Sequence, residues 1–273
     1  MFGHNKVFVP KSYRDDPAET LRVTSIFYTL QGEGKFSGTP CCFVRLMGCN
    51  LTCSFCDTYF DAGDQLSYHA IFEKIEAART QFFESRGIVG SLRPNGFLLV
   101  ITGGEPTNQA NLTGFLNSAH NRGYSTQIES NGTIEREIHP DTCLCISPKI
   151  NESIGKYVKL NEKMLERADF LKFVISKDME GYQTVPDFAL SWKARTGRPI
   201  YVSPMNCYST QPVKLGADGT LEGRSEVDER ISFWTPGLLD MQKNQANHEY
   251  AAELALFHDL RLSLQTHLMA SLP

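Results

Sequence analysis

Eight strand-length apolar runs, most of them followed by a polar motif, constrain this chain of 273 residues more than any other feature. They are LRVTSIFYTL (21–30), CCFVRLMG (41–48), FLLVIT (97–102), YSTQIES (124–130), TCLCIS (142–147), FLKFVIS (170–176), PIYVSP (199–204) and RLSLQTH (261–267). All are rich in β-branched or aromatic residues, as strands require. Helical periodicity fills several of the gaps. Residues 68–85 place Ile71, Phe72, Ile75, Ala78 and Phe82 on one face, with Ser67 as the N-cap. Residues 108–121 and 181–195 read similarly, and 238–259 carries Leu238, Met241, Ala252, Leu254 and Phe257. Strands alternating with helices imply parallel βα units, arranged as a doubly wound sheet or as a complete or partial barrel. Either arrangement gathers chemistry at the C-terminal ends of the strands. Five motifs fall there: GCNLTC after FVRLM, GGEP after FLLVIT, NGT after TQIES, PK after LCIS and TH after RLSLQ. Packing alone does not require five polar motifs on one rim.

A formal net charge of −4 leaves no basic excess to neutralise phosphates, which argues against direct nucleic-acid binding. No apolar run approaches the length of a membrane span, and the first twenty residues lack the charged-then-apolar pattern of a secretory signal. The expectation is a cytoplasmic protein with no membrane partner. Residues 1–20 read as a loosely held extension and 21–273 as one core domain. Two Gly-rich, charged excursions interrupt that domain near 84–96 and 213–230.

Eight cysteines in a reducing compartment point to metal or chemistry rather than to disulfides. Cys49, Cys53 and Cys56 are spaced C-x3-C-x2-C. One reading is a structural zinc site that borrows a fourth ligand from Cys41, Cys42, Cys143, Cys145 or Cys207. No second C-x2-C pair and no H-x3-H pair supports it. Cys143 and Cys145 are expected to diverge within a strand, and all five cysteines read as small core residues. The other reading is an iron–sulfur cluster. Four thiolates usually hold one, so three leave an iron with an open coordination position.

C-x3-C-x2-C followed by GGEP (103–106) resembles the radical S-adenosylmethionine (SAM) enzymes. That resemblance implies a 4Fe–4S cluster on Cys49, Cys53 and Cys56 whose open iron chelates SAM. One electron then cleaves SAM to methionine and a 5′-deoxyadenosyl radical. Gly103 and Gly104 lack Cβ atoms, so their backbone can approach a ligand closely. Glu105 can accept a hydrogen bond near the SAM amino group, and Phe55 matches an aromatic that covers the adenine. Ser130, Asn131, Ser147 and Lys149 offer groups for ribose and carboxylate; capped turns explain each motif singly, and their shared rim favours binding.

The segment FYTLQGEG (27–34) is more discriminating. A turn accounts for Gly32 and Gly34 but not for Gln31 and Glu33 between them. An amide and a carboxylate suit the edge of an aminopyrimidinone ring. Arg45, inside an otherwise apolar strand, is costly to bury unpaired; it suits a substrate carboxylate, or else a carboxylate of the protein itself. In order, FYTLQGEG, GCNLTCSFCDT, TGGEP, NGT, SPK, PM and LSLQTH closely resemble the 7-carboxy-7-deazaguanine synthase family, from about Val23 to Pro273 without the two excursions. The family fold is a partial (βα)6 barrel with a modified, reduced helix set. Its reaction converts 6-carboxy-5,6,7,8-tetrahydropterin to 7-carboxy-7-deazaguanine by hydrogen abstraction at C6, radical ring contraction and loss of ammonia.

By motif, the resemblance implies that Gln31, Glu33, Arg45, Thr102 and His267 contact the pterin and that Pro273 brings the terminal carboxylate toward it. It also implies Mg2+ on the Thr58 hydroxyl, an electron donor such as flavodoxin or ferredoxin, and a homodimer. Two departures stand out: Ser203 precedes Pro204-Met205 where the family often has Gln, and Asn206 follows where Asp is frequent. Two rivals remain at this point. One is a radical SAM activase that installs a glycyl radical on a partner, which leaves LQGEG, Arg45 and His267 unexplained. The other is a non-enzymatic zinc-binding interaction protein, which iron and sulfide content would separate from both enzymes.

Overall fold

A computed structural model of the chain describes residue 5 and residues 16–88, 97–208, 233–234 and 239–273. The excursion at 213–230, Leu238 and most of 1–20 lie outside the described residues, as does 84–96 beyond residue 88. The strands are β1 (Thr20–Leu30), β2 (Pro40–Leu46), β3 (Asp64–Ser67), β4 (Leu98–Gly103), β5 (Ser125–Ser130), β6 (Cys143–Ile146), β7 (Ile150–Asn151), β8 (Lys156–Tyr157), β9 (Phe170–Ile175), β10 (Ile200–Pro204) and β11 (Arg261–Leu262). Nine form one sheet in the order β11-β10-β9-β6-β5-β4-β2-β1-β3, and β7 pairs with β8 in a small hairpin. From β2 to β11 every pairing is parallel. The ends of the sheet do not pair with each other, so it is a partial barrel whose core strands are β2, β4, β5, β6, β9 and β10.

The helices are α1 (Tyr68–Glu84), α2 (Leu112–Asn121), α3 (Glu162–Arg167), α4 (Asp187–Thr196), α5 (Met241–Phe257) and α6 (Thr266–Met269). No helix joins β5 to β6, which is the reduced set expected. Ser67 caps α1 as predicted, its hydroxyl accepting the Ala70 N–H at 3.2 Å. The other helices start later than periodicity suggests. Pro106–Asn108 is a 3₁₀ turn ahead of α2, and Pro186 holds an extended backbone at the N-cap of α4. The expected apolar face of α5 is not the one it buries. Met241 and Phe257 are exposed, and the helix turns Asn244, Asn247, Ala251 and Ala255 inward. The RLSLQTH run is also shorter as a strand than expected: β11 ends at Leu262, and His267 lies in α6.

The period-two alternation of parallel strands sorts the interior. Residues facing the helices, among them Val44, Leu99, Ile101, Leu171 and Val202, pack with Ile71, Phe115 and Trp192 in the main core. The concave face is layered. Toward the strand N-termini it is apolar: Cys41, Leu98 and Val100 form one cluster and Cys143, Cys145, Phe170 and Tyr201 another, with Phe36 against both. Cys143 and Cys145 therefore share a face rather than diverging, as residues two apart on a strand must. Toward the C-termini the same face becomes polar, through Arg45, Thr102, Glu129, Lys172 and Ser203.

β1 runs antiparallel to β2, with Leu30 opposite Pro40. The LQGEG turn therefore enters the barrel from the N-terminal end of the parallel strands, opposite to the rim carrying the other motifs. The tail meets it there: Thr266 N–H donates to Gly32 O at 3.1 Å and Gly34 N–H to Ser263 Oγ at 2.8 Å. Thr29 Oγ1 also donates to Pro273 O at 2.9 Å, so residues 263–273 run from the end of β11 back to β1.

Candidate active site

A cavity of about 250 Å3 opens on the polar end of the concave face. Every site residue predicted from the sequence lines it, except Glu105. The three cysteines lie on the loop between β2 and β3, which neighbouring strand ends pin in place. Gly104 N–H donates to Leu46 O and Glu105 N–H to Gly48 O, at 3.0 and 2.8 Å. A Cβ on Gly103 would sit 2.2 Å from Leu46 O, and one on Gly104 would sit 2.0 Å from Gly48 O. These glycines are thus needed for the approach of β4 to the cysteine loop.

Glu105 is wholly buried. Its carboxylate accepts from Thr107 N–H and Oγ1–H at 3.0 and 2.6 Å, Ser130 Oγ–H at 2.7 Å and Asn131 N–H at 2.6 Å. Burial raises its pKa, against the pull of those donors. Glu105 therefore organises the SNGT segment, which in turn holds the loop: Asn131 Nδ2 donates to Asn50 Oδ1 and Asn50 Nδ2 to Thr133 Oγ1, both at 2.8 Å.

None of the cysteines is in a disulfide. Burial pushes the Cys49 thiol up to about 12 and that of Cys56 up to about 11. It raises Cys53 as well, with Lys149 opposing. A bound metal's charge is what would deprotonate such thiols. One tetrahedral zinc would need sulfurs about 3.8 Å apart, given Zn–S bonds near 2.3 Å. Among the described residues only His120, His139 and Asp141 bring ligand atoms within 4.8 Å of one another; the three cysteines do not. The His120 and His139 rings stack 3.9 Å apart at 15°, so their in-plane lone pairs cannot converge on one ion. The wider cysteine triangle suits a cluster.

The same cavity is also lined by groups that suit a polar ligand. Arg45 stands 4.9 Å over the Phe27 ring, and its buried Nε has no hydrogen-bond partner. No carboxylate among the described residues forms a salt bridge with it, so the competing account of Arg45 finds no support. Burial lowers its pKa, with Asp57 opposing. His267 Nδ1 is likewise buried without a partner, and burial lowers that pKa too, favouring neutral imidazole. A Cβ on Gly32 would overlap this nitrogen at 1.9 Å, so the turn glycine makes room for His267. Gln31 is held by the protein: its Nε2 donates to Glu129 Oε1 at 3.0 Å, and its Oε1 accepts the Glu33 N–H at 3.1 Å.

Sequence reasoning overlooked Glu129 and Lys172. The Lys172 ammonium donates to Glu33 Oε2 and Glu129 Oε2, both at 2.9 Å. Ser203 Oγ donates to the other Glu33 oxygen at 2.5 Å, so the Ser203 departure becomes a carboxylate contact. Asn206 donates to Gln265. The signal for Lys172 was available: it is the one charge in FLKFVIS, as Arg45 is in CCFVRLMG.

An open, mostly parallel barrel with three cysteines after its first core strand, facing a cavity at the strand C-termini, defines the radical SAM class, which binds a 4Fe–4S cluster and SAM. No protein-family model matches the chain. A 7-carboxy-7-deazaguanine synthase from Rickettsia prowazekii is 32% identical over 268 residues, covering 98% of this chain and 94% of that protein. Another, from Rhodospirillum rubrum, is 32% identical over 230 residues, covering 79% and 86%. The crystal structure of QueE from Escherichia coli matches the fold with a TM-score of 0.58 at 23% identity, over 91% of this chain and 95% of that one. The chain belongs to the 7-carboxy-7-deazaguanine synthase family.

Proposed function

We propose that this chain is a radical SAM lyase converting 6-carboxy-5,6,7,8-tetrahydropterin to 7-carboxy-7-deazaguanine and ammonia. One observation carries the reading. A single cavity is lined by three thiols and also by Arg45 and His267, whose buried nitrogens the described protein leaves without partners. A buried polar group without a partner is costly, and a ligand would supply one.

Cys49, Cys53 and Cys56 would hold the 4Fe–4S cluster, which with bound SAM would supply the radical chemistry for hydrogen removal at C6. Ser130, Asn131, Ser147 and Lys149 would bind the ribose and carboxylate of SAM, with Phe55 against the adenine and Gly103 and Gly104 forming the rim. Arg45 would bind the pterin carboxylate through its forked guanidinium. Glu33 and Glu129 turn acceptors toward the N–H edge of the ring, and Lys172 and Ser203 fix the Glu33 carboxylate. Neutral His267, Thr102, Gln31 and Pro273 complete that wall, with Thr29 Oγ1 donating to Pro273 O at 2.9 Å. The Thr58 hydroxyl lies 3.1 Å from Asp57 Oδ1, and such oxygens suit Mg2+. Substrate and product differ by one ammonia, so the ring contraction takes no net electrons. The reading extends, on family resemblance, to a flavodoxin or ferredoxin donor, a homodimer and a cytoplasmic location. It treats 21–273 as one catalytic domain; no helix of the described residues is long and apolar enough to cross a membrane.

The test is anaerobic incubation of reconstituted protein with SAM, Mg2+, a reductant and 6-carboxytetrahydropterin, read by mass spectrometry. Both 5′-deoxyadenosine and 7-carboxy-7-deazaguanine should appear, and Cys53→Ala should abolish both. Arg45→Ala should keep its iron and lose on the order of 10- to 100-fold in kcat/KM, as the loss of a charged hydrogen bond implies. Deoxyadenosine without deazaguanine would refute the substrate assignment.

A further inference from the structure

One residue of the cavity comes from outside the barrel. Asn5 reaches the cysteine loop from more than fifty positions away and lines the cavity beside it. Its Oδ1 accepts the Phe60 N–H at 3.0 Å; its Nδ2 donates to Thr58 O at 2.5 Å and lies 3.8 Å from Cys56 Sγ. A carboxamide nitrogen carries two hydrogens, so one serves the carbonyl and the other can face the sulfur. The Thr58 carbonyl also accepts the Cys56 thiol hydrogen, at 3.4 Å. Binding iron removes that hydrogen, after which Asn5 is the donor that remains on Thr58 O among the bonds described. Its second hydrogen then faces an anionic sulfur.

We infer that Asn5 is a positioning residue for the cluster: it closes the Cys56–Phe60 turn and directs an N–H at Cys56 Sγ, setting the ease with which the cluster accepts an electron. Hydrogen bonds to cluster sulfurs are among the factors that set reduction potential. A donor facing Cys56 favours the more negative, reduced state, so it raises the potential. The inference rests on reading the three cysteines as cluster ligands.

The experiment compares full-length wild-type protein, Asn5→Ala and Asn5→Asp, each reconstituted anaerobically without SAM or pterin. Iron and sulfide content is measured first, followed by a redox titration monitored by electron paramagnetic resonance. Asn5→Asp keeps the acceptor for Phe60 but sets an oxygen against Thr58 O and Cys56 Sγ. Both variants should assemble the cluster, and the midpoint potential should become more negative from wild type to Asn5→Ala to Asn5→Asp. A wild-type potential in Asn5→Asp at full iron content overturns the inference. Loss of the cluster from both variants overturns it too, because Asn5 would then hold the loop without tuning the cluster. Wild-type protein that assembles no 4Fe–4S cluster sinks the underlying reading, and this one with it.

Discussion

Lys172 stands in the middle of β9 between the carboxylates of Glu33 and Glu129, and its protonation governs their side of the cavity. Burial pushes its pKa down, but Glu129 and Glu33 outweigh that and hold it well above the ordinary lysine value. Burial raises the Glu33 carboxyl, and Lys172 with Ser203 pulls it far below its unperturbed 4.5. A carboxylate whose pKa is depressed on folding stabilises the protein above its unfolded pKa and ceases to do so as the pH falls through the folded one. Wild-type stability should therefore fall with acidification below about 4.5. Lys172→Met strands two carboxylates that keep only 15% and 17% of their side chains exposed. That should cost about 3–5 kcal/mol at neutral pH. Acidification should then recover part of the loss as the carboxylates take up protons. Urea denaturation across pH checks both slopes, and a Lys172→Met protein as stable as wild type would contradict the account. The contrast with Arg45 shows what was legible at this scale. A lone charge in a strand announces buried chemistry, yet no local pattern reveals that the partners of Lys172 lie 43 and 139 positions away.

Among the elements, the β4 exit and α5 follow different rules from those read in the sequence. GGEP marks its position correctly, but the reason for its glycines is a backbone collision that appears only once β2 and β4 lie side by side. Gly104→Ala needs no unusual φ; its cost comes from driving a methyl into the Gly48 carbonyl. Overpacking of this kind costs about 1–3 kcal/mol, and it would be felt at the cysteine loop. The variant should fold with a lowered Tm and bind clearly less iron than wild type. Full iron content at an unchanged Tm would show that the loop is not held in this way. Helix α5 escaped hydrophobic periodicity because its inner face is partly amide. Asn247 takes the Lys177 N–H at 2.8 Å and donates to Met205 O at 2.9 Å, while Asn244 donates to Cys207 O at 2.7 Å. These side chains satisfy backbone groups beyond the ends of β9 and β10 that have left the sheet, which apolar side chains could not do.

Across the whole molecule, the alternation of strands and helices was enough to predict parallel βα units, and the motif order was enough to place the cysteines and GGEP on one rim. The direction of β1 was not legible, because residue patterns encode which face is buried and not which way a strand runs. That direction brings Gln31 and Glu33 into the cavity from the opposite end, where residues 263–273 bond to the turn and to β1. In the proposed reaction one cavity presents the hydrogen at C6 of the pterin to a radical formed beside the three cysteines. Substrate deuterated at C6 probes this transfer in a single anaerobic turnover, with the 5′-deoxyadenosine analysed by mass spectrometry. Deuterium should appear in the deoxyadenosine, alongside 7-carboxy-7-deazaguanine. Deoxyadenosine formed without deuterium, in the presence of bound pterin, would contradict it.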